Sequence, residues 1–547
     1  MAPSSPRWPL IILLLAVGAV FWPVLGYDFL WDDHLLVLES RLTGTLSDLP
    51  AFFTTDLWAS TPDPDPDPGY YRPLLLVDLA LTRAVAGLDP GMHHLHGLLW
   101  HLVAVVGVFR LLRVVVDVPW AAVTGTALFA LHPVQVEAVS FVSARNDPMA
   151  TAFLVWSLIY LSRRRPCSKA LIGGGVLALA AVLSKESVLL APLLLPLICR
   201  AGGRGWGAVR SHLVLLGAMG AGLCLRALAG IGLPAQADTA HLLGALGPTL
   251  AHYGDRLVWP VDLAPMIHLG WPPPVPVVAG LIAAGLLGLL AVLGRRRAGL
   301  GLGFALIGLA PALAGVAHTG IIVDRYLYLP MVGLALMVAA VAARVPRRHV
   351  GFAGLAGALA LLTGLQLPTW ETDDTLWRAA MARAPSGYAA GAYGRWLEDE
   401  GRMEAAAEAY RQAVQPPRPF DTGCYNITRI HLALGRPDQA IEVGRAALAA
   451  GCARSPELVA PMAVALAITG DWTAAEAAAH SVGRDPTGKA VLVRLAARAR
   501  AGDLAPLRAE LVTAGPTGPR LIRLVSDLIA FSGEPGRAAA VRAAVSD

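Results

Sequence analysis

Long apolar runs fill the chain up to about Pro368, and polar interruptions dominate the remaining residues. The apolar runs are roughly 15–22 residues long and are separated by short polar stretches. Runs of this length are typical of helices that cross the ~30 Å apolar core of a bilayer, although several are short for it. The pattern predicts an all-α membrane bundle with these eleven spans: 9–26, 92–112, 119–138, 148–162, 168–184, 186–200, 211–231, 275–294, 299–317, 326–343 and 349–367.

Arginine clusters between the runs predict the orientation. If Arg7 is cytoplasmic and the spans alternate, five further clusters fall on the same side, as the positive-inside rule requires. These clusters are Arg110/Arg113, Arg163–Arg165, Arg200/Arg204/Arg210, Arg295–Arg297 and Arg344/Arg347/Arg348. Eleven spans then place the C-terminal region outside the cytoplasm. Two weaker segments, 73–88 and 241–258, carry charges and are interpreted as interfacial or re-entrant helices.

The C-terminal region has a repeating pattern. Gly401, Gly435 and Gly470 are separated by 34 and 35 residues, and each lies between two helix-length runs. This spacing is typical of the helix–turn–helix unit of tetratricopeptide (TPR) repeats. The sequence therefore predicts two domains: a membrane domain, 1–367, and a TPR-like α-solenoid, 368–547. Such arrays form a groove that binds a peptide or protein.

The charge balance argues against a nucleic-acid partner. Charged residues make up 15% of the chain, against roughly 25% in a soluble protein. The formal net charge is +5, but from Pro368 onward 20 Lys and Arg face 20 Asp and Glu. The C-terminal domain therefore has no basic excess with which to bind nucleic acid. The Ala-, Gly- and Arg-rich composition is typical of bacterial proteins, so we expect a bacterial inner-membrane protein.

Four polar stretches fall on the predicted outer face. They are Tyr27–Tyr71, His132–Asp147, Lys185–Glu186 and Asp324–Arg325. Ionisable groups at membrane depth are costly unless they are paired or line a wet cavity. A set of them on one side of the membrane therefore indicates a functional site.

The first stretch opens with two adjacent carboxylates, Asp32 and Asp33. Such a pair can act as a general base or bind a cation, although an ordinary solvated loop could begin in the same way. Alternating Pro and Asp come next at 61–69, a composition that favours a stiff extended linker over a calcium loop. Arg72 can then place its forked guanidinium on a phosphate or simply extend towards the membrane surface.

The other stretches supply more cations and carboxylates. Pro133 is expected to begin an outer helix that carries Glu137 and Arg145 on one face. Arg145, Lys185 and Arg325 on one side of the membrane would suit a lipid-linked phosphate, although each charged pair alone is typical of an interfacial anchor. The supporting polar residues are His132, Glu137, Asp147, Glu186 and Asp324.

The order of these motifs resembles one known family. The chain carries W-D-D, Y-Y-R-P-L, L-H-P-V-Q-V-E-A-V, R-N-D, L-S-K-E and D-R-Y-L-Y-L-P in this order before the repeats. This arrangement resembles the TMTC family, the transmembrane and TPR repeat-containing O-mannosyltransferases of the GT-C superfamily. The resemblance implies that a sugar moves from a polyprenyl phosphate to a Ser or Thr hydroxyl of a protein at the outer or lumenal membrane face.

The same resemblance implies roles for individual residues. One of Asp32 and Asp33 would be catalytic, and the donor phosphate would bind Arg72, Arg145, Lys185 or Arg325. No cofactor and no metal are predicted, although a divalent metal is compatible with the site. The expected partners are the lipid-linked donor, an acceptor in the TPR groove and membrane lipid. Asp324 departs from the Glu expected in much of the family.

Two other classes of function fit parts of the pattern. A non-catalytic scaffold would use the spans only to anchor the repeat domain, but clustered outer charges are excessive for an anchor. A flippase for lipid-linked sugars would need charges along a transmembrane path, whereas the middles of the predicted spans are almost uncharged apart from Arg226.

Two cysteines of the repeat region allow two interpretations. Cys424 lies early in the first helix of the second repeat, and Cys452 lies just past its second helix. Antiparallel helices could bring the two Cα atoms to the ~5.5–6 Å of a disulfide, and an extracytoplasmic compartment would permit its formation. Two buried free thiols are the alternative.

Overall fold

The structure is a computed structural model, and it describes most of the chain. The described residues are 8–59, 69–202, 209–232, 239–268, 277–345, 349–415, 420–482, 485, 487–514 and 518–546. Arg7, Arg204, Arg347, Arg348 and the Pro-Asp residues 61–68 lie outside these ranges.

The chain divides into two compact units, Met1–Ala379 and Ala380–Asp547. The division lies beyond the predicted boundary at 367/368, because Trp370 is buried and packs on Phe141 of the first unit, with ring centroids 5.7 Å apart. The helices that begin in the first unit are α1 (Trp8–Phe21), α2 (Leu49–Phe52), α3 (Pro73–Ala86), α4 (Pro90–Val115), α5 (Pro119–Leu131), α6 (Val136–Ser140), α7 (Asn146–Leu161), α8 (Ser168–Ser184), α9 (Ala191–Ala201), α10 (Val209–Leu228), α11 (Thr239–Val258), α12 (Val277–Thr319), α13 (Pro330–Ala342), α14 (His349–Gln366) and α15 (Asp373–Arg383).

Several of these helices begin where the sequence places a start signal. Pro73, Pro90, Pro119 and Pro330 each occupy the first turn of a helix, where the missing N–H costs nothing. Asp89 caps α4 by accepting a hydrogen bond from Met92 N at 2.9 Å. Short strands β1 (Ile267–His268) and β2 (Ile321–Ile322) pair antiparallel, with Ile267 opposite Ile322.

The first unit has the properties of a multi-pass membrane protein. Four described segments are long and apolar enough to cross a bilayer: Trp8–Gly26, Pro90–Val115, Val209–Leu228 and Arg296–Thr319. Shorter apolar helices accompany them at Pro119–Leu131, Ser168–Ser184, Ala191–Ala201 and Pro330–Ala342. Large apolar side chains point outward along several helices, as expected for surfaces in contact with lipid tails: Ile11, Ile12, Leu15, Ile172, Val176, Leu213, Leu216, Leu361 and Leu365.

The predicted turn at Arg295–Arg297 is wrong. The apolar runs 275–294 and 299–317 predict two spans, but Val277–Thr319 is one continuous helix of 43 residues. No proline occurs between residues 277 and 310. Arginine is also a good helix former, so the charged cluster continues the helix rather than ending it.

Glycines let helices of the first unit approach one another closely. A Cβ added to Gly333 of α13 would lie 2.5 Å from Gly301 O of α12, and one added to Gly125 of α5 would clash with Ala335 O of α13. Small residues at such crossings are typical of helix packing in membranes, where close van der Waals contact replaces the hydrophobic effect.

The second unit consists of helices in sequential pairs. They are α16 (Gly387–Asp399), α17 (Met403–Ala413), α18 (Asp421–Ala433), α19 (Pro437–Ala450), α20 (Pro456–Ile468), α21 (Trp472–Ser481), α22 (Lys489–Arg500), α23 (Ala505–Ala514), α24 (Gly518–Phe531) and α25 (Pro535–Ser546). Gly401, Gly435 and Gly470 lie in the turns that follow α16, α18 and α20. Each has positive φ, which a glycine adopts without strain.

The two cysteines of the second unit form a disulfide. Cys424 in α18 is bonded to Cys452, which follows α19, and the Cα atoms are 5.8 Å apart. Of the two interpretations open from the sequence, the structure contains the bonded form. Disulfides persist in oxidising compartments, so this bond agrees with an extracytoplasmic second unit.

Labelling of introduced cysteines will test the orientation of the first unit. In a background with Cys167, Cys199 and Cys224 replaced by Ser, we expect Glu39→Cys and Thr319→Cys to react with an impermeant thiol reagent from outside. Arg164→Cys and Arg296→Cys should react only after permeabilisation, because Arg296 and Thr319 are the two ends of one apolar segment. Labelling of Arg296→Cys from outside contradicts the orientation.

Removing the disulfide should destabilise the second unit. A bond that closes a loop of 28 residues contributes about 3–4 kcal/mol through loop entropy. We therefore expect the double variant Cys424→Ser, Cys452→Ser to unfold at a lower temperature than the wild type under non-reducing conditions, with the two proteins converging in reductant. Recovery of two free thiols in a non-reducing peptide map of the wild type is the contrary result.

Candidate active site

The four polar stretches predicted at the outer face meet in one cluster. Each stretch makes at least one side-chain contact with another, although they are far apart in the sequence. The joining contacts are Asp33 with Ser143, Asp147 with Lys185, and Glu137 with Arg325; Arg72, directly after the first stretch, also pairs with Glu186. The sequence pattern indicates only a common membrane face, and the fold brings these side chains into contact.

Asp33 holds the first stretch against the second. Its side chain is fully buried, and one oxygen accepts hydrogen bonds from Ser143 N at 2.7 Å and Ser143 Oγ at 2.5 Å. The other oxygen accepts from Leu30 N at 3.2 Å. Burial raises the pKa of Asp33 to about 7, while these donors act in the opposite direction. With its oxygens occupied in this way, Asp33 serves to fix the loop.

Asp32 has a different environment. It is half-buried, and its carboxylate makes no hydrogen bond or ion pair with any residue that the structure describes. Burial raises the pKa of Asp32 to about 6, while the nearby charges of Arg325 and Arg72 lower it. A carboxylate without a hydrogen-bond donor among the described residues, and with a pKa raised to about 6, is suited to accept a proton.

Arg72 and Glu186 form a bidentate ion pair within the cluster. Arg72 Nε donates to Glu186 at 3.0 Å and Arg72 Nη2 donates at 2.5 Å. Burial tends to raise the pKa of Glu186, but the charge and hydrogen bonds of Arg72 outweigh burial and lower it to about 2. The pair is therefore ionised, and Arg72 keeps its fork geometry in a partly exposed position.

Two more ion pairs complete the cluster. Lys185 Nζ donates to both oxygens of Asp147 at 2.6 Å, and the two side chains are 4% and 7% exposed. Arg325 pairs with Glu137 through Nη1, and its backbone N–H donates to the same carboxylate at 2.9 Å. Burial lowers the pKa of Lys185, and Asp147 opposes this shift. The Lys185 side chain is therefore almost closed off from solvent, whereas the Arg325 side chain is 19% exposed.

Each of these cations also lies over an aromatic ring. Arg72 is 4.8 Å from the ring centre of Tyr70, and Lys185 is 5.3 Å from that of Tyr326. Arg325 is within 6 Å of Trp31, Phe141 and Tyr326. Cation–π contacts of this kind favour the charged form of a desolvated cation. The sequence does not predict them, because ring positions depend on the fold.

The structure does not bring Arg145 into this cluster. Arg145 is fully buried, and its guanidinium donates to Asp78 at 2.7 Å, Thr82 at 3.0 Å and His93 O at 2.7 Å. Nε of Arg145 has no hydrogen-bond partner among the described residues, but the side chain is 0% exposed, so a phosphate has no access to it in this structure. These hydrogen bonds link the segment that carries Ser143 to α3 and α4.

The predicted outer helix with Glu137 and Arg145 on one face is also wrong. Helix α6 ends at Ser140 because Phe141 adopts an extended conformation. A separate short turn, Val142–Arg145, then leads into α7. The break turns Glu137 towards Arg325 and Arg145 towards Asp78.

The remaining predicted residues lie at the edge of the cluster. His132 is buried and caps the next turn by accepting a hydrogen bond from Val134 N at 3.4 Å. Asp324 is buried, and its carboxylate lies 3.9 Å from His252 Nε2 of α11. It directly precedes Arg325 in the sequence. Within the described ranges, no group of three or more His, Cys, Asp and Glu side chains has the arrangement of a metal site.

Sequence reasoning missed a second anchor of the first loop. His34 Nε2 lies 2.6 Å from Asp373, and Trp31 N donates to the same carboxylate at 3.0 Å. The hydrogen bond to Asp373 raises the pKa of His34. The composition break near Pro368 assigns Asp373 to the repeat domain instead. The contact of Asp373 with the loop spans more than 300 residues of chain, so no local pattern signals it.

Comparison with known proteins gives partial matches. The chain is 25% identical over 154 residues to human Protein O-mannosyl-transferase TMTC3, and 31% identical over 178 residues to Drosophila melanogaster Protein O-mannosyl-transferase Tmtc2. These matches cover 28% and 31% of this chain, and 17% and 19% of the relatives. The chain thus spans less than a fifth of the length of these curated relatives in the matched region. The resemblance to the TMTC family predicted from the motifs is confirmed by these relatives.

Family models and solved structures add less. No family model matches the chain. A solved structure, ArnT from Cupriavidus metallidurans bound to undecaprenyl phosphate, aligns with 81% of this chain and 80% of its own, at a TM-score of 0.38 and 13% identity.

Replacing Arg145 should affect folding rather than ligand binding. Arg145→Ala leaves the buried carboxylate of Asp78 without its cation, which typically costs about 3–5 kcal/mol. We expect a clearly lower unfolding temperature in nanodiscs, with Arg163→Ala as the control because Arg163 is exposed. If Arg145→Ala keeps the wild-type unfolding temperature but binds a polyprenyl phosphate more weakly, Arg145 belongs to the ligand site after all.

Proposed function

We propose that this protein is a membrane glycosyltransferase that moves a sugar, mannose, from a polyprenyl phosphate to a Ser or Thr hydroxyl of a protein. One observation carries the proposal. The half-buried Asp32 carboxylate has no hydrogen bond or ion pair among the described residues, and two cations, Arg325 and Arg72, act on it electrostatically. The similarity to relatives named as protein O-mannosyl-transferases supports the same activity.

The proposed reaction is a displacement at the anomeric carbon of the donor sugar. The acceptor hydroxyl gives its proton to Asp32 while its oxygen forms the new bond to the anomeric carbon. The bond between that carbon and the phosphate oxygen breaks, and its electron pair stays on the phosphate. A positioned base is needed because a Ser or Thr hydroxyl is a weak nucleophile at neutral pH.

Arg72 and Arg325 are proposed to bind the leaving phosphate. They keep 12% and 19% of their side chains exposed, whereas Lys185 keeps 4%. Both also lower the pKa of Asp32, which indicates that they lie near its carboxylate. Cations fixed beforehand by their carboxylate partners stabilise the growing phosphate charge without having to reorganise during the reaction. Lys185 is proposed to act indirectly, by keeping Asp147 and the loop after α8 in place.

The second unit is proposed to bind the acceptor. Its paired helices and the left-handed glycines between them fit the TPR-like solenoid predicted from the sequence. The disulfide between Cys424 and Cys452 fits an extracytoplasmic location, and the composition fits a bacterial inner membrane. No metal or cofactor takes part in the proposed scheme.

Replacing Asp32 and replacing Asp33 should have different effects on turnover and stability. Asp32→Asn removes the base but disturbs no hydrogen bond with a described residue, so we expect turnover to fall more than ~10²-fold with an unchanged unfolding temperature. Asp33→Asn places an amide N–H₂ donor against the N–H donors of Ser143 or Leu30, and two donors cannot bond to each other. We therefore expect this variant to unfold at a lower temperature than the wild type. The assay measures mannose transfer from polyprenyl-phosphate mannose to a Ser/Thr peptide by the protein in nanodiscs.

The pH dependence distinguishes a base from a merely nearby charge. Asp32 must be ionised to accept a proton, and its pKa is raised to about 6. The rate under kcat/KM conditions should therefore rise with pH up to about 6 and level off above it, and the residual rate of Asp32→Asn should lack this limb. Wild-type transfer by Asp32→Asn sinks the assignment. Absence of transfer by the wild type, with binding of partner proteins intact, favours a scaffold.

A further inference from the structure

The loop that carries the acidic pair has an unusual bend just before it. Trp31 adopts φ +47, a left-handed conformation that a bulky side chain rarely takes. Such a conformation persists only where the surrounding contacts impose it. The contacts that impose it here therefore determine where the next residue, Asp32, points.

One carboxylate contacts the chain on both sides of the acidic pair. Asp373 Oδ1 accepts a hydrogen bond from Trp31 N at 3.0 Å, and Asp373 Oδ2 lies 2.6 Å from His34 Nε2. Trp31 precedes Asp32, and His34 follows Asp33. Asp373 is itself buried and is the first residue of α15, and a helix N-terminus is a favourable place for a carboxylate.

Neighbouring residues of the same segment hold the loop as well. The Trp31 ring stacks on Phe141 at 5.5 Å with an interplanar angle of 5°, and packs edge-on against Trp377 at 5.6 Å. Asp28 N donates to Glu371 O at 3.0 Å. The segment after α14 thus contacts the first loop by backbone, carboxylate and ring, all within the first unit.

We infer that Asp373 is a positioning residue that holds the Trp31–His34 bend and thereby aims the carboxylate of Asp32 into the site. The inference rests on the proposed function only as far as Asp32 is the base. Asp373 does not touch the reacting atoms, because its two oxygens are used by Trp31 and His34. Asp33 fixes the same loop from the opposite side, through Ser143.

Replacing Asp373 should change the orientation of the Asp32 carboxylate without unfolding the protein. Without Asp373, the Trp31 N–H loses its acceptor and His34 loses its carboxylate partner. The ring contacts of Trp31 with Phe141 and Trp377 then hold the left-handed backbone less firmly, so the bend relaxes. A displacement of a catalytic group by about 1 Å can cost ~10²-fold in rate. Donor binding is proposed to depend on Arg72 and Arg325, whose carboxylate partners are Glu186 and Glu137. Arg325 meets the loop only through the Trp31 ring at 5.9 Å, so donor KM should change less than kcat.

The experiment compares adjacent carboxylates at the same helix start. Asp373→Ala removes both contacts with the loop, and Asp374→Ala is the matched control because Asp374 pairs with Arg378 on its own helix. Asp373→Asn keeps an oxygen that can accept from Trp31 N, and His34→Gln removes only the ring contact. All four variants and the wild type are measured in nanodiscs, by amide hydrogen exchange of the Asp28–His34 peptide and by kcat and KM for transfer.

The expected result has two parts. Exchange at the Trp31 amide should accelerate at least ~10-fold in Asp373→Ala, and less in Asp373→Asn, with Asp374→Ala like the wild type. Transfer by Asp373→Ala should lose about 10²-fold in kcat with a donor KM within about threefold of the wild type. If Asp373→Ala does not fold, Asp373→Asn and His34→Gln give the same comparison with smaller effects.

The outcomes separate this inference from the proposed function. Unchanged exchange in Asp373→Ala, with kinetics like those of Asp374→Ala, overturns the positioning role. A lower unfolding temperature with kcat unaffected in the folded fraction also overturns it, since the residue would then be structural only. Faster exchange at Trp31 in Asp373→Ala, when the wild type itself shows no transfer, supports the positioning of the loop and rejects the glycosyltransferase assignment.

Discussion

The site depends on one constraint: charges gathered at the edge of a membrane must be paired. Lys185 and Asp147 are almost completely buried, and so is Glu137 opposite Arg325. A single charge in such a place would be far too costly, whereas an ion pair with further hydrogen bonds is tolerated. Because the partners come from different stretches of the chain, the same pairing also fixes those stretches relative to one another. The pairing that forms the site is therefore the same pairing that fixes the folded arrangement of these stretches.

Pairing also distinguishes the residue that is left over. The cations of the cluster are paired with carboxylates, and Asp33 accepts hydrogen bonds from Ser143 and Leu30. Half-buried Asp32 is left without a hydrogen bond or ion pair among the described residues. The charges of Arg72 and Arg325, which are paired with Glu186 and Glu137, lower the pKa of Asp32. A proton acceptor next to fixed cations is the combination that a displacement of phosphate by a hydroxyl requires.

The helices of the first unit are held together by a different kind of contact. In lipid, apolar side chains gain little from mutual burial, so the bundle is held by close backbone contact at small residues such as Gly125 and Gly333. The second unit has an Ala-rich core of short helices and a disulfide between Cys424 and Cys452. The two units thus rely on different sources of stability, which agrees with the break in composition near Pro368.

Local periodicity was enough to predict the apolar helices and the repeat spacing, and the ordered motifs were enough to show the resemblance to the TMTC family. The charge cluster Arg295–Arg297 predicts a turn between two spans, although no proline interrupts it and arginine is a good helix former; the structure continues the helix through it. Only the tertiary structure shows that Asp32 and Asp33 have different environments, that Arg145 pairs with Asp78, and that Asp373 contacts the first loop. These assignments depend on which partner each charge finds, and partners hundreds of residues apart are chosen by packing, not by sequence spacing.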